Sequence, residues 1–186
     1  MKALSFVAAC VLAVGLTACS GGDDAVTDET GQADEAADTT EQGGGELLAV
    51  GSEMTVADWT VSLGETDTAA TETILATDDL AEEPVAGRDY ILVTVTATYQ
   101  GTDTGAPWAD LWLSYSGADG TVYDPIDDVD SACPYLEDGL DEYDKVAAGT
   151  QVAGVVCASV PTEQIAGGHW IVSDLFDEYA YNVDIA

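Results

Sequence analysis

Residues 46–186 are predicted to form an all-β antiparallel sandwich, and three features of the sequence carry that expectation. Apolar residues recur with a period of two, not 3.6. Turn signals built from Gly, Asp and Pro separate these runs at short intervals. All four Trp and all eight Tyr fall in this part of the chain, which is long enough to bury a core.

The elements follow in order. Trp59-Thr-Val61-Ser-Leu63 alternates as a half-buried strand. Residues 91–99, from Ile91 through Val93 and Val95 to Tyr99, form the strongest strand signal in the chain. Leu111-Trp-Leu113-Ser-Tyr115 alternates again, and Gly117-Ala118-Asp119-Gly120 turns the chain into Thr121-Val122-Tyr123. After Gly149, residues 152–160 read as a buried strand that stops at Pro161. Residues 170–172 and 179–185 complete the set. Only two stretches, 75–83 and 135–143, suit helical turns, and both are short and acidic. No internal repeat is present.

The first 45 residues differ in kind. Lys2 precedes an apolar run, 3–18, broken only by Ser5 and Thr17. A bilayer-spanning helix needs about 20 apolar residues, so this run reads as a signal peptide. Leu16-Thr17-Ala18-Cys19 resembles a bacterial lipobox, which implies cleavage before Cys19 and lipidation of its sulfur. Two or three acyl chains anchor stably where one is marginal. Residues 20–45 hold no aromatic side chain, one large aliphatic (Val26), eight acids and no base, and end in Gly43-Gly44-Gly45. Such a stretch buries no core and is expected to be a disordered tether reaching roughly 30 Å. The expected organisation is therefore signal peptide over 1–18, lipidated Cys19 and linker over 19–45, and sandwich over 46–186. No later segment is apolar and long enough to span a membrane.

The formal net charge is −33, and beyond the signal only Arg88 and Lys145 oppose 36 acids. Such a field repels nucleic acid and anionic membrane surfaces. The acids are spread along the whole chain, which fits solubility or life at high salt before a cationic partner. With Cys10 lost in the signal and Cys19 lipidated, Cys133 and Cys157 remain as a pair in an exported protein and are expected to be bridged. A metal-thiolate site needs further ligands, and His169, the only histidine, is no obvious partner.

The runs "GRDYILVTVTATYQG", "LSYSGADGTVYDP" and "VAAGTQVAGVVCASVP" resemble a bacterial family of immunoglobulin-like lipoprotein domains of unknown function. The resemblance covers roughly residues 50–185 and implies an immunoglobulin-like sandwich. It also implies a cysteine before, and one within, the Gly-rich strand, which supports the Cys133–Cys157 bridge. The family often ends its long strand on Asn, where this chain has Tyr99-Gln100. Its motifs are structural and nearly silent on activity. A telomere-binding label sometimes attached to the family conflicts with the charge of this chain.

Catalytic signatures are absent from the sequence. There is no Gly-x-Ser-x-Gly, no Ser-x-x-Lys and no phosphate-cradling loop after a strand. A Ser-His-Asp set could use only His169, which reads as a strand-edge residue. Carboxylate pairs carry no signal in so acidic a chain. The best candidate site is the run 124–144, where Asp124, Asp127, Asp128 and Asp130 crowd before Cys133. Clustered carboxylates suit a hard cation such as calcium. The EF-hand order fails, because a loop starting at Asp128 has Cys133 at its sixth position and Gly139 at its twelfth. The bland reading is a solvated acidic loop held by the bridge. If Leu111 and Leu113 face the core, Trp112 faces out near Asp110 and Ser114 and could contact a partner or a sugar; the reverse parity buries it. Trp59 and Trp170 are expected in the core. The expectation is a lipid-anchored, extracytoplasmic, non-catalytic binding module with an envelope partner and no nucleic acid, the alternative being a calcium-binding or envelope-stabilising protein.

Overall fold

In the computed structural model of the chain, residues 47–77, 80–176 and 180–185 are described. The expected signal peptide, Cys19 and the linker lie outside them. The described residues form ten strands: β1 (Met54–Val56), β2 (Trp59–Asp67), β3 (Arg88–Tyr99), β4 (Thr104–Gly105), β5 (Trp112–Ser116), β6 (Val122–Tyr123), β7 (Val146–Ala147), β8 (Gln151–Pro161), β9 (His169–Ser173) and β10 (Ala180–Asp184). Three short helices, α1 (Thr71–Thr77), α2 (Pro107–Asp110) and α3 (Thr162–Ile165), and a 3-10 turn at Leu140–Glu142 punctuate them.

Two four-stranded sheets, β1-β2-β3-β8 and β10-β9-β5-β6, are hydrogen-bonded antiparallel throughout, and a small pair β4-β7 sits beside them. The chain crosses between sheets from β3 to β5, from β6 to β8 and from β8 to β9. The orders β2-β3-β8 and β10-β9-β5-β6 correspond to A-B-E and G-F-C-C′ of an immunoglobulin-like sandwich. The disulfide differs from the antibody pattern. It joins Cys157 on β8 to Cys133 in a loop on the same side, not two strands of opposite sheets.

Side chains from the inner faces of both sheets share one core. Val61, Leu63, Ile91, Val93, Val95 and Ala158 meet Leu113, Tyr115, Trp170, Val172 and Val183, all essentially inaccessible to solvent. Tyr115 and Trp170 pack edge to face with ring centres 5.4 Å apart, and Trp59 and Tyr99 pack tilted at 5.0 Å. Trp59 and Trp170 are thus core residues, as the sequence indicated. Trp170 Nε1–H reaches Thr66 Oγ1 of the facing sheet at 2.9 Å, so the indole is satisfied as well as buried.

Three expectations change in detail. The strand that starts at Trp59 runs four residues past Leu63, through a bulge between Leu63 and Thr66 that interrupts the alternation. The helix expected over 75–83 forms earlier, at Thr71–Thr77, where Ile74 is buried on the sheet; Pro84 disfavours helical geometry at Glu83. Of the stretch 135–143 only Leu140–Glu142 takes helical geometry, as a 3-10 turn, with Leu140 inserted into the core. Gly154 permits this: a Cβ there would lie 2.8 Å from the Leu140 backbone.

Candidate interaction surface

The outer face of the first sheet divides in two along β3. Toward Tyr99 the outward residues are Thr94, Thr96 and Thr98, polar and at least partly exposed. Toward Arg88 they are Tyr90 and Leu92, paired across β8 with Ser159 and Cys157. This half is apolar and covered. Ala70, Ile74, Tyr90 and Cys157 form a second buried cluster with Ala81, Leu92, Cys133 and Leu136 packed against it. The Cys133–Cys157 disulfide, Cα atoms 6.0 Å apart, fastens the acidic run to β8.

Arg88, at the start of β3, organises the adjoining loop. Its Nη2 donates to Ser131 Oγ at 2.8 Å and to the Ser159 carbonyl, and its guanidinium lies 5.2 Å from the centre of the Tyr123 ring. Ser131, fully buried, donates to Asp128 Oδ2 at 2.6 Å, and the Asp130 amide donates to Asp128 Oδ1 at 3.0 Å. The Ser131 hydroxyl, the Asp130 amide and more distantly the Arg88 charge hold the Asp128 carboxyl below its ordinary value of 3.8, against a smaller opposing effect of burial. Asp124 is spent in the same way. Its Oδ1 accepts the amides of Ile126 and Asp127 at 2.8 and 3.1 Å, and its Oδ2 accepts Trp112 Nε1–H at 2.6 Å.

The four candidate acids therefore do not converge. Asp124 and Asp128 cap their own loop, while Asp127 and Asp130 are exposed. Among the described residues, no three His, Cys, Asp or Glu side chains gather closely enough to hold a metal ion. Trp112 keeps the parity in which Leu111 and Leu113 face the core, but it is half-buried and its indole is tied to Asp124. The tryptophan presented to solvent is Trp108 in α2, 51% exposed. The signal for it was its place between two strand runs, after Pro107. His169 pairs across the sheet with Asp184; burial lowers its pKa, while hydrogen bonding to Asn182 and the Asp184 charge pull the other way. Among the described residues no helix is long and apolar enough to cross a membrane.

Sequence reasoning did not assemble the concave site beside the bridge. A depression of about 410 Å³ opens between the segments 80–85 and 129–135. Cys133, Tyr90 and Ser159 line its floor, Leu80, Val85, Val129 and Tyr135 its edge. Leu80 and Val129 are each 86% exposed. Glu82, Glu83 and Asp130 stand on the same rim. A second depression of about 430 Å³ adjoins it across Tyr135 and is flanked by Glu137 and Asp138. Ser159 Oγ and, outside the lining, Arg88 Nε are buried without a hydrogen-bond partner.

No known protein family matches the chain, and no curated protein matches it. Among solved structures it is similar to a conserved hypothetical protein from Bacillus anthracis, with 12% identity, 73% of this chain and 94% of that one covered, and a TM-score of 0.45. It is similar to an uncharacterized β-sandwich protein from Clostridium difficile at 12% identity, with 76% and 95% covered and a TM-score of 0.46. The yjhA protein from Bacillus subtilis gives 12% identity, 75% and 100% coverage and a TM-score of 0.45. By its own strand register the chain is an antiparallel β-sandwich, with one disulfide among its described residues.

Proposed function

We propose that the protein is a lipid-anchored lipoprotein of the bacterial envelope, of the immunoglobulin-like kind its sequence resembles, whose sandwich is a non-catalytic binding module. The observation that carries the binding role is the set of large apolar side chains left in solvent around one depression: Leu80, Val85, Val129 and Tyr135. Exposed apolar groups gathered on a polar-rimmed surface mark interaction sites more often than isolated ones do. The lipobox-like Leu16-Thr17-Ala18-Cys19 and the acidic stretch behind it support display outside the cytoplasm.

The test has two readouts on the full chain expressed in a bacterium. Cys19→Ser is expected to abolish acyl incorporation and move the protein from the membrane to the soluble fraction; unchanged fractionation removes the anchor. Crosslinking in intact envelopes is expected to join the wild-type protein to a discrete partner, and purified protein is expected to leave cell-wall and extracellular substrates intact. Turnover of any of them overturns the non-catalytic reading.

A further inference from the structure

We infer that the depression beside the Cys133–Cys157 bridge takes a short extended segment of a protein partner that alternates basic and apolar side chains. This deepens the binding role proposed above and rests on it. The apolar half of the argument is the edge: Leu80 and Val129, both 86% exposed, face solvent on either side of an opening of about 410 Å³, within the range of small-ligand and side-chain pockets. The basic half is charge. Glu82, Glu83 and Asp130 lie on that rim, and Glu137 and Asp138 flank the adjoining depression across Tyr135.

An alternating segment matches the mixture of apolar and acidic groups around the opening. An extended segment advances about 3.3 Å per residue and turns successive side chains to opposite sides. Apolar residues can then enter the opening while basic ones meet the rim.

Other occupants fit less well. A second copy of this chain brings the same net charge of −33, and an anionic lipid surface is repelled for the same reason. A metal ion alone meets no cluster of three ligands among the described residues.

The experiment uses the labelled peptide acetyl-Lys-Leu-Lys-Val-Lys-amide as probe, with anisotropy read against the full-length protein in detergent micelles. At about 0.15 M salt the diffuse field is screened beyond about 8 Å, so local contacts dominate. Leu80→Ser with Val129→Ser is expected to weaken binding at least tenfold. So is Glu82→Gln with Glu83→Gln and Asp130→Asn. The matched triple Glu53→Gln, Glu65→Gln, Asp103→Asn, exposed acids outside both depressions, should change it less than twofold. Replacing Leu and Val of the probe by Ser should also cost at least tenfold. All substituted positions are exposed, and unchanged unfolding midpoints confirm an intact fold.

Equal effects of the two charge triples, or equal binding of the Ser-containing probe, reduce the interaction to the overall field and overturn the inference. So does absence of binding at about 1 mM probe. If the probe fails while envelope crosslinking still yields a partner, the binding role stands and this surface falls.

Discussion

Asp128 is a residue whose neighbours convert one carboxylate into a loop clamp. Because its folded carboxyl titrates below the ordinary 3.8, the folded state holds fewer protons than the unfolded state just below that value. Its contribution is complete above the ordinary carboxylate range and is lost as pH falls through the folded pKa. Asp128→Ala is therefore expected to lower stability by about 1 kcal/mol at neutral pH, a figure already discounted for partial exposure. The gap between wild type and variant in thermal unfolding should close as the pH drops below the folded pKa. A gap that persists undiminished in acid would mean that Ser131 and the Asp130 amide do not act through the ionised carboxylate.

Residue-level legibility was uneven for a physical reason. The crowding of Asp124, Asp127, Asp128 and Asp130 was plain in the sequence, but composition cannot distinguish acids that gather round a cation from acids that accept amides of their own loop. The structure places Asp124 and Asp128 in the second group. Trp112 was legible in neither parity nor partner, since alternation allowed either face and Asp124 reaches its indole from beyond a turn.

Among the elements, β3 was readable because its inner residues, Ile91, Val93, Val95 and Ala97, keep strict alternation. β4 and β7 were not, because two residues carry no period. The groove was hidden because it joins three segments, 80–85, 129–135 and the end of β8, which only the β3–β8 register and the bridge bring together. One signal for it was available. The outward positions of β3 change from Thr94, Thr96 and Thr98 to Leu92 and Tyr90, so the sheet had to be covered at that end. The bridge is the element-level device that holds the cover. It closes a separation of 24 residues, worth about 3.5 kcal/mol in the chain-entropy account. Cys133→Ser with Cys157→Ser should therefore lower the unfolding midpoint by roughly 10 °C. A shift below about 2 °C would show that the cover is held by packing alone.

For the whole molecule, charge is the dominant fact. A net charge of −33 on 186 residues sets the compact state against its own repulsion. Raising salt from about 10 mM to about 1 M shortens the screening length from roughly 30 to roughly 3 Å, and the unfolding midpoint is expected to rise steadily across that range. Sodium and calcium chloride at equal ionic strength should raise it nearly alike, because no three acidic, His or Cys side chains converge on an ion among the described residues. A separate, saturable rise with micromolar calcium would contradict that geometry.

The bridge has a mechanical meaning as well. The edge of the groove reaches the sandwich by two routes: hydrogen bonds such as those from Arg88 to Ser131, and the covalent link from Cys133 to Cys157. Cys157 lies on β8, which is paired residue by residue with β3 over eleven positions. Displacement of the loop at Cys133 is therefore transmitted covalently to the strand paired with β3. The disulfide thus ties the rim of the proposed groove covalently to β8.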